Sequence, residues 1–339
     1  MRGALGRDPA LDLLRGVALI RVVTYHTTGR AWLTWFTAVP LMFFVGGALF
    51  SASLNRRPWR EVLPARLRRI VVPMWAWSVM IFVFISVAGL WHEVPAWGVI
   101  GFIVPFGPAH GPGSSAGDYY WTWMGLWYLW SYASFMVVFV PLRTVVARRP
   151  AQVIGGLVAA AVVLQLVGLD SVGSVAANFA FWVLGATYQA YHWNGDGSRV
   201  RLSILACVCA IGGLGYLFVT SASHRPITTI PTLFLGTASL LLAAAFRNEL
   251  ASLARQRQIS IVLSWLSQRA LSVYLWHELA VGIVAHFRRS WPALNHDVPA
   301  VLIVFALTAV IVTIVGPIED LAAGRHPSLF RFATARLPS

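Results

Sequence analysis

Apolar runs long enough to cross a membrane recur along this 339-residue chain, and they constrain its fold more than any other feature. A helix needs about 17 to 25 largely apolar residues to span a bilayer. This criterion predicts ten spans, at residues 10–30, 34–54, 70–90, 121–142, 152–168, 173–192, 202–221, 230–246, 270–287 and 298–317. The chain is 58% hydrophobic and 11% charged, a balance that a water-soluble domain could not bury. We therefore predict an all-α, polytopic membrane bundle.

The basic residues predict the orientation of this bundle. All 26 are arginines, and short cytoplasmic loops are expected to hold the excess of them. With a cytoplasmic N-terminus, 20 arginines fall in the inner segments, 4 in the outer segments and two in the first span. We therefore expect a multi-pass protein of the plasma membrane with both termini in the cytoplasm. Residues 1–320 would form one membrane-embedded domain, and residues 321–339 a short cytoplasmic tail.

The first span contains polar residues whose burial in a bilayer costs free energy. Arg15 and His26 are eleven positions apart, so they share one helix face, about 16 Å apart along the axis, and Arg21 lies between them. Polar groups at such depths usually face a protein interior or a wet cavity. A neutral histidine in a partly dehydrated cavity can accept a proton from a hydroxyl nucleophile. We identify His26 and Arg15 as candidate catalytic residues, although arginines that only bridge helices are the alternative.

A basic cluster stands at the cytoplasmic start of the third predicted span. Arg66 and Arg69 are neighbours on one helix face, with Arg68 between them, and paired guanidinium groups can bind phosphates bidentately. A cytosolic phosphorylated donor would suit this cluster. The alternative is an ordinary topology signal with contacts to lipid headgroups.

Two further groups of residues are candidates for lining a site. His277 and Glu278 are adjacent near the middle of the ninth predicted span, where a glutamate is expensive unless it is paired or neutral. Arg21, at a similar depth, is the expected partner of Glu278. The aromatic segment 118–132, with Asp118, Trp127 and Tyr128 as candidates, is either an interfacial belt or a stacking surface for a sugar-like acceptor.

Several of these motifs together resemble the acyltransferase-3 family of integral membrane acyltransferases. The run LDLLRGVALIRVVTYH at 11–26 resembles the opening helix of that family, with Arg15 and His26 at the spacing of its arginine-to-histidine motif. Further matches follow in order: PLMFFVGGALF at 40–50, ARLRRIVVPMW at 65–75, LWYLWSY at 126–132 and SVYLWH at 272–277. The position of Pro73 after the arginine pair is seen in only part of the family.

The resemblance implies transfer of an acyl group from a cytosolic acyl-CoA, with acetyl-CoA as the expected donor, to a hydroxyl of a cell-envelope carbohydrate or glycolipid. His26 would be the base or the site of a transient acyl adduct. Arg66 and Arg69, with Arg68 beside them, would hold the phosphates of CoA, and Arg15 would line the route between them. Expected partners are the acceptor, membrane lipids and a separate extracytoplasmic transferase for any second step. We expect no metal and no nucleic acid.

Three other functions stay open on the sequence. An acyltransferase that modifies a small molecule such as an antibiotic would need the same residues. A transporter or flippase would also need membrane arginines, but no inverted repeats or paired broken helices are visible. A non-catalytic scaffold would not explain the free-energy cost of placing Arg15, His26 and Glu278 within membrane spans.

Overall fold

The computed structural model of the protein describes residues 8–89, 96–105, 125–188, 199–221, 229–288 and 290–329. Within these ranges all regular secondary structure is helical. The α-helices are α1 (Pro9–Thr28), α2 (Ala38–Leu54), α3 (Trp59–Ala88), α4 (Ala96–Ile103), α5 (Leu126–Arg148), α6 (Pro150–Leu166), α7 (Asp170–Tyr188), α8 (Arg199–Ser221), α9 (Thr229–Ala245), α10 (Arg247–Arg255), α11 (Arg257–Phe287) and α12 (Asp297–Ala322). Short 3₁₀ helices span Ala31–Trp35 and Pro292–Asn295. The prediction of an all-helical protein is confirmed for this part of the chain.

Each of the ten predicted spans overlaps a helix, but fewer helices meet the criteria for crossing a membrane. Among the described residues, six helices are long and apolar enough, and a seventh span arises if α9 and α10, which are bent by 71°, are taken together. Helix α1 is not among them, since it contains Asp12, Arg15 and Arg21 within 20 residues. The structure therefore supports a multi-pass membrane protein, while the count of ten and the orientation stay predictions.

Several helices extend well beyond the spans predicted for them, among them α3, α11, which begins at Arg257 instead of residue 270, and α12. The third span was predicted to begin at residue 70, but α3 begins at Trp59 and continues through Pro64 and Pro73. The arginine cluster is therefore part of the helix instead of preceding it. Similarly, α12 continues to Ala322, past the predicted end at residue 317.

Helix α1 packs against α2, α10, α11 and α12. The side chain of Asp8 caps its first turn by accepting a hydrogen bond from the Ala10 amide at 3.0 Å. Gly29 ends it in the left-handed conformation, with a φ of 64°. Packing against α11 is close, because a methyl group on Gly16 would lie 2.7 Å from the Leu263 side chain.

Polar contacts fix the end of α1 that carries His26. Arg288 donates a hydrogen bond to the carbonyl oxygen of Thr27 at 2.8 Å. Just past the helix, Arg30 donates to the carboxylate of Asp297 at 2.7 Å, which raises the pKa of Arg30. These contacts connect the end of α1 to α11 and α12.

A buried ion pair connects α11 and α12 near the other end of the bundle. Arg269 and Asp320 are 1% and 0% exposed, and their side chains are joined at 2.8 Å. Arg269 also donates to the carbonyl oxygens of Gly316 and Ser328. The segment after α12 is therefore packed onto the bundle at least as far as Ser328.

Candidate active site

A narrow cavity of about 130 Å³ lies among α1, α2, α3, α5, α11 and α12. We call it the inner cavity, because the predicted orientation places it towards the cytoplasm. Its charged lining residues are Arg15, Arg66, Arg69 and Glu319, and its aromatic lining residues are Tyr128, Tyr132 and Tyr274. Three guanidinium groups around one narrow space favour an anionic ligand.

Two of these arginines are held by neutral oxygen atoms. Arg15 donates to the carbonyl oxygen of Ser267 at 3.1 Å and also forms an ion pair with Asp12 at 3.6 Å. Arg66 donates to Oγ of Ser53 at 2.7 Å. Neutral partners of this kind orient a guanidinium group without cancelling its charge. Arg66 therefore keeps its positive charge for an anion, whereas the charge of Arg15 is partly balanced by Asp12.

The remaining arginines of the cluster differ in their contacts. Arg69 forms an ion pair with Glu319 at 3.5 Å, and Glu319 also accepts a hydrogen bond from Oγ of Ser272 at 2.8 Å. Arg68 is not among the residues that line the cavity. It donates to the carbonyl oxygen of Ala322 at 2.9 Å and so joins α3 to the end of α12.

A second and larger cavity of about 1240 Å³ lies at the His26 end of α1. We call it the outer cavity. Its polar lining residues include Arg21, His26, Ser174 and Asn178, and its aromatic lining residues include Tyr25, Trp35 and Trp127. Helix α8 contributes apolar side chains, among them Ile211 and Phe218, which are 71% and 84% exposed. Polar groups, aromatic rings and an exposed apolar wall therefore surround one space.

The polar centre of this region is a group of three residues, which we call the His–His–Glu triad. Nδ1 of His26 lies 2.9 Å from Nε2 of His277 and 2.6 Å from Oε1 of Glu278. His277 and Glu278 are 0% and 1% exposed, whereas His26 lines the outer cavity. The triad thus connects a buried carboxylate to a histidine that a ligand can reach.

The contacts of His277 determine the proton positions when both rings are neutral. Its Nδ1 lies 2.7 Å from the carbonyl oxygen of Tyr274, and a carbonyl oxygen can only accept a hydrogen bond. Nδ1 of His277 therefore carries the ring proton and its Nε2 accepts. Since His26 must then donate through Nδ1, Nε2 of His26 carries the lone pair, as a general base requires.

Glu278 is held close to His26 without a well-aligned hydrogen bond. Neither of its carboxylate oxygens has a hydrogen-bond partner among the described residues, although Oε1 lies 2.6 Å from Nδ1 of His26. A negative charge at this distance stabilises an imidazolium ion, which is what His26 becomes when it takes a proton.

Tyr274 lines both cavities. It lies one turn before the triad on α11, and its ring centroid is 4.8 Å from that of Tyr128. Tyr274 therefore belongs both to the lining that holds the arginines and to the lining that holds His26.

The structure brings most of the predicted site residues together. Arg15 and His26 both contact α11, through Ser267 and through the triad, which agrees with their predicted placement on one face of α1. Trp127 lines the outer cavity and Tyr128 the inner one. Asp118 lies outside the described residues.

The predicted pairing of Arg21 with Glu278 is wrong. Arg21 instead donates to the carbonyl oxygen of Leu33 at 2.7 Å and lies over the ring of Tyr25, 5.1 Å from its centroid. Depth along the bundle suggested the pairing, but the direction of each side chain around its helix axis decides contact. Glu278 is paired by His26 instead.

Three residues of the two cavities were not predicted as site residues from the sequence. Glu319 lies beyond the predicted end of its span, and Tyr274 was noted only within the SVYLWH segment. Asn178 carried no signal, because a single asparagine in an apolar run is common; it is 5% exposed and its Oδ1 has no hydrogen-bond partner among the described residues.

The chain was compared with known protein families. A family model described as an acyltransferase domain, that of the acyltransferase-3 family, matches residues 8–318. The chain belongs to the acyltransferase-3 family. Neither a curated protein nor a solved structure matches it.

Membership in the acyltransferase-3 family confirms the resemblance inferred from the motifs. The match begins at Asp8, which caps α1, and it includes the arginines of α3 and the triad. Both cavities of this membrane acyltransferase thus lie largely within the matched domain.

Proposed function

We propose that this protein transfers an acyl group from cytosolic acyl-CoA, with acetyl-CoA as donor, to a hydroxyl of a cell-envelope carbohydrate or glycolipid. The observation that carries the proposal is that His26 lines a cavity large enough for such an acceptor while its Nδ1 lies 2.9 Å from Nε2 of His277. The contact of His277 with the Tyr274 carbonyl oxygen leaves the lone pair of His26 on Nε2. In this account the enzyme is a plasma-membrane protein with both termini in the cytoplasm.

The donor binds from the inner side. Arg66 and Arg15 in the inner cavity attract the phosphates of acyl-CoA. Arg69, which is oriented by its ion pair with Glu319, adds a third positive charge to this phosphate site. A cavity of about 130 Å³ is far smaller than a whole CoA molecule, so the nucleotide stays at the mouth and the narrow pantetheine end enters. The thioester then passes Tyr274 to reach His26.

The acceptor binds in the outer cavity. Rings such as Trp35 and Trp127 offer flat surfaces for a sugar, and the exposed side chains of α8 suit a lipid tail. The amide of Asn178 is the group best suited to a hydroxyl of the acceptor, because a buried polar atom without a partner is costly until a ligand satisfies it.

Transfer follows as a balanced addition and elimination. Nε2 of His26 removes the proton of the acceptor hydroxyl as its oxygen attacks the thioester carbonyl carbon. The carboxylate of Glu278 stabilises the resulting imidazolium. When the tetrahedral intermediate collapses, the carbon–sulfur bond breaks, the new ester remains on the acceptor, and the CoA thiolate takes the proton from His26.

One experiment tests the proposal and separates it from the alternatives. The purified protein is incubated with acetyl-CoA labelled in the acetyl group, together with a glycolipid extract of the host envelope or with a panel of small hydroxylated antibiotics. We expect label in an ester product of the glycolipid extract and an equal release of CoA. Label in the small molecules alone would favour the antibiotic-type enzyme, and no CoA release with any acceptor would contradict acyl transfer.

A further inference from the structure

The His–His–Glu triad brings together three atoms that commonly ligate metal ions. Nδ1 of His26 lies 2.6 Å from Oε1 of Glu278 and 2.9 Å from Nε2 of His277. Nε2 of His277 lies 3.4 Å from Oε1 of Glu278. A tetrahedral zinc ion with bonds of about 2.0 to 2.1 Å needs ligand atoms roughly 3.3 Å apart. The separation between His277 and Glu278 already has this value, and the two separations from His26 need to lengthen by about 0.4 and 0.7 Å.

The surroundings of the triad favour a cation at this position. The hydrogen bond from Nδ1 of His277 to the Tyr274 carbonyl leaves Nε2 of His277 as the ligating nitrogen, and such a backbone contact is typical of metal-binding histidines. The carboxylate of Glu278 is 1% exposed, and both of its oxygens lack a hydrogen-bond partner among the described residues. A buried carboxylate that lacks a well-aligned hydrogen bond and lies beside two imidazoles favours a cation at this position.

We propose that His26, His277 and Glu278 bind one Zn²⁺ ion that enters from the outer cavity and inhibits the enzyme. Two imidazole nitrogens favour Zn²⁺ over Mg²⁺ or Ca²⁺, which prefer oxygen ligands. His26 borders the outer cavity, so a water molecule from that cavity supplies the fourth ligand. Two neutral rings and one carboxylate give the metal complex a net charge of +1.

Inhibition follows from the position of one proton. Zinc occupies the lone pair of Nδ1 of His26, so the single proton of this neutral ring moves from Nδ1 to Nε2. Nε2 then carries a hydrogen atom and can no longer accept the proton of an acceptor hydroxyl. The inhibitory part of the proposal rests on the proposed function, whereas binding of the metal does not.

The test uses the full-length protein in detergent, first treated with EDTA and then titrated with ZnCl₂ against a chromophoric zinc indicator, without acyl-CoA. We expect one ion per chain and no competition from excess MgCl₂. In His277→Gln and Glu278→Gln the affinity should fall at least about tenfold, since even residues behind the ligands contribute that much. The matched control is His296→Gln, because His296 is an exposed histidine outside the triad and should leave zinc binding unchanged.

Two readouts keep the result interpretable. Size-exclusion profiles identify folded variants, and His26→Gln provides a third, less buried substitution in case the others do not fold. Zinc affinity that is unchanged in folded triad variants would overturn the site, and bound zinc that leaves acyl transfer intact or raises it would overturn inhibition. Zinc binding that depends on the triad in a protein without acyl transfer would support the site while contradicting the proposed function.

Discussion

His26 and Glu278 lie 252 positions apart in the sequence, yet Nδ1 of His26 is 2.6 Å from Oε1 of Glu278. The contact crosses from α1 to α11 and places a carboxylate with 1% exposure behind a histidine that borders the outer cavity. If this carboxylate stabilises an imidazolium ion during transfer, its charge matters more than its shape.

Glu278→Gln tests that charge, because glutamine has nearly the same shape as glutamate. We expect kcat for acetyl transfer to fall by at least about tenfold, towards the lower end of general acid–base effects. The KM for acetyl-CoA should change little, since Glu278 does not line the inner cavity. An unchanged kcat in a folded variant would show that Glu278 has only a structural role.

The arginines of α3 provide their own matched control. Arg66→Ala should raise the KM for acetyl-CoA about tenfold or more, as expected for a lost hydrogen bond to a charged group. Arg68→Ala removes the same charge from the same helix, but at a position that contacts the Ala322 carbonyl instead of the inner cavity. Equal changes in KM for the two variants would show a general electrostatic effect and contradict the donor site.

Asn178 is expected to act on the acceptor alone. Asn178→Ala should raise the KM for the acceptor about tenfold, in proportion to one lost hydrogen bond with its desolvation cost. Hydrolysis of acetyl-CoA by water, measured in the same preparation, is the internal control and should not change. A variant that alters hydrolysis as much as transfer would contradict a contact limited to the acceptor.

The ion pair between Arg269 and Asp320 makes a prediction about stability. Asp320→Ala should destabilise the protein by about 3 to 5 kcal/mol, because it leaves a buried guanidinium uncompensated. The double variant Arg269→Met with Asp320→Ala should regain part of that loss. The measurement is the unfolding free energy in detergent or bicelles, and a double variant no more stable than Asp320→Ala would contradict the explanation.

Local signals in the sequence predicted the helices and part of the site. The spacing of Arg15 and His26 depends on helix geometry alone, and their shared contact with α11 follows from it. Helix boundaries were harder to predict, because α3 accommodates Pro64 and a strongly basic stretch that reads as a loop.

Contacts between distant helices could not be predicted. Depth along the bundle favoured Arg21 as the partner of Glu278, and only the packing of α1 against α11 shows that His26 takes this position. Glu319 likewise gains its role because α12 extends far enough to reach Arg69. Such pairings depend on the rotation of whole helices, which apolar periodicity specifies poorly in a chain that is apolar on most faces.

The most direct test of the account is the rate of acetyl transfer by His26→Gln in the presence of acetyl-CoA and the glycolipid extract. The variant is compared with the wild type and with His286→Gln. His286 is an exposed histidine in the last turn of α11. We predict that His26→Gln lowers kcat by about 10²- to 10⁴-fold, the contribution expected of a general base, while His286→Gln does not change it. A folded His26→Gln protein that transfers acetyl groups at close to the wild-type rate would contradict the central claim.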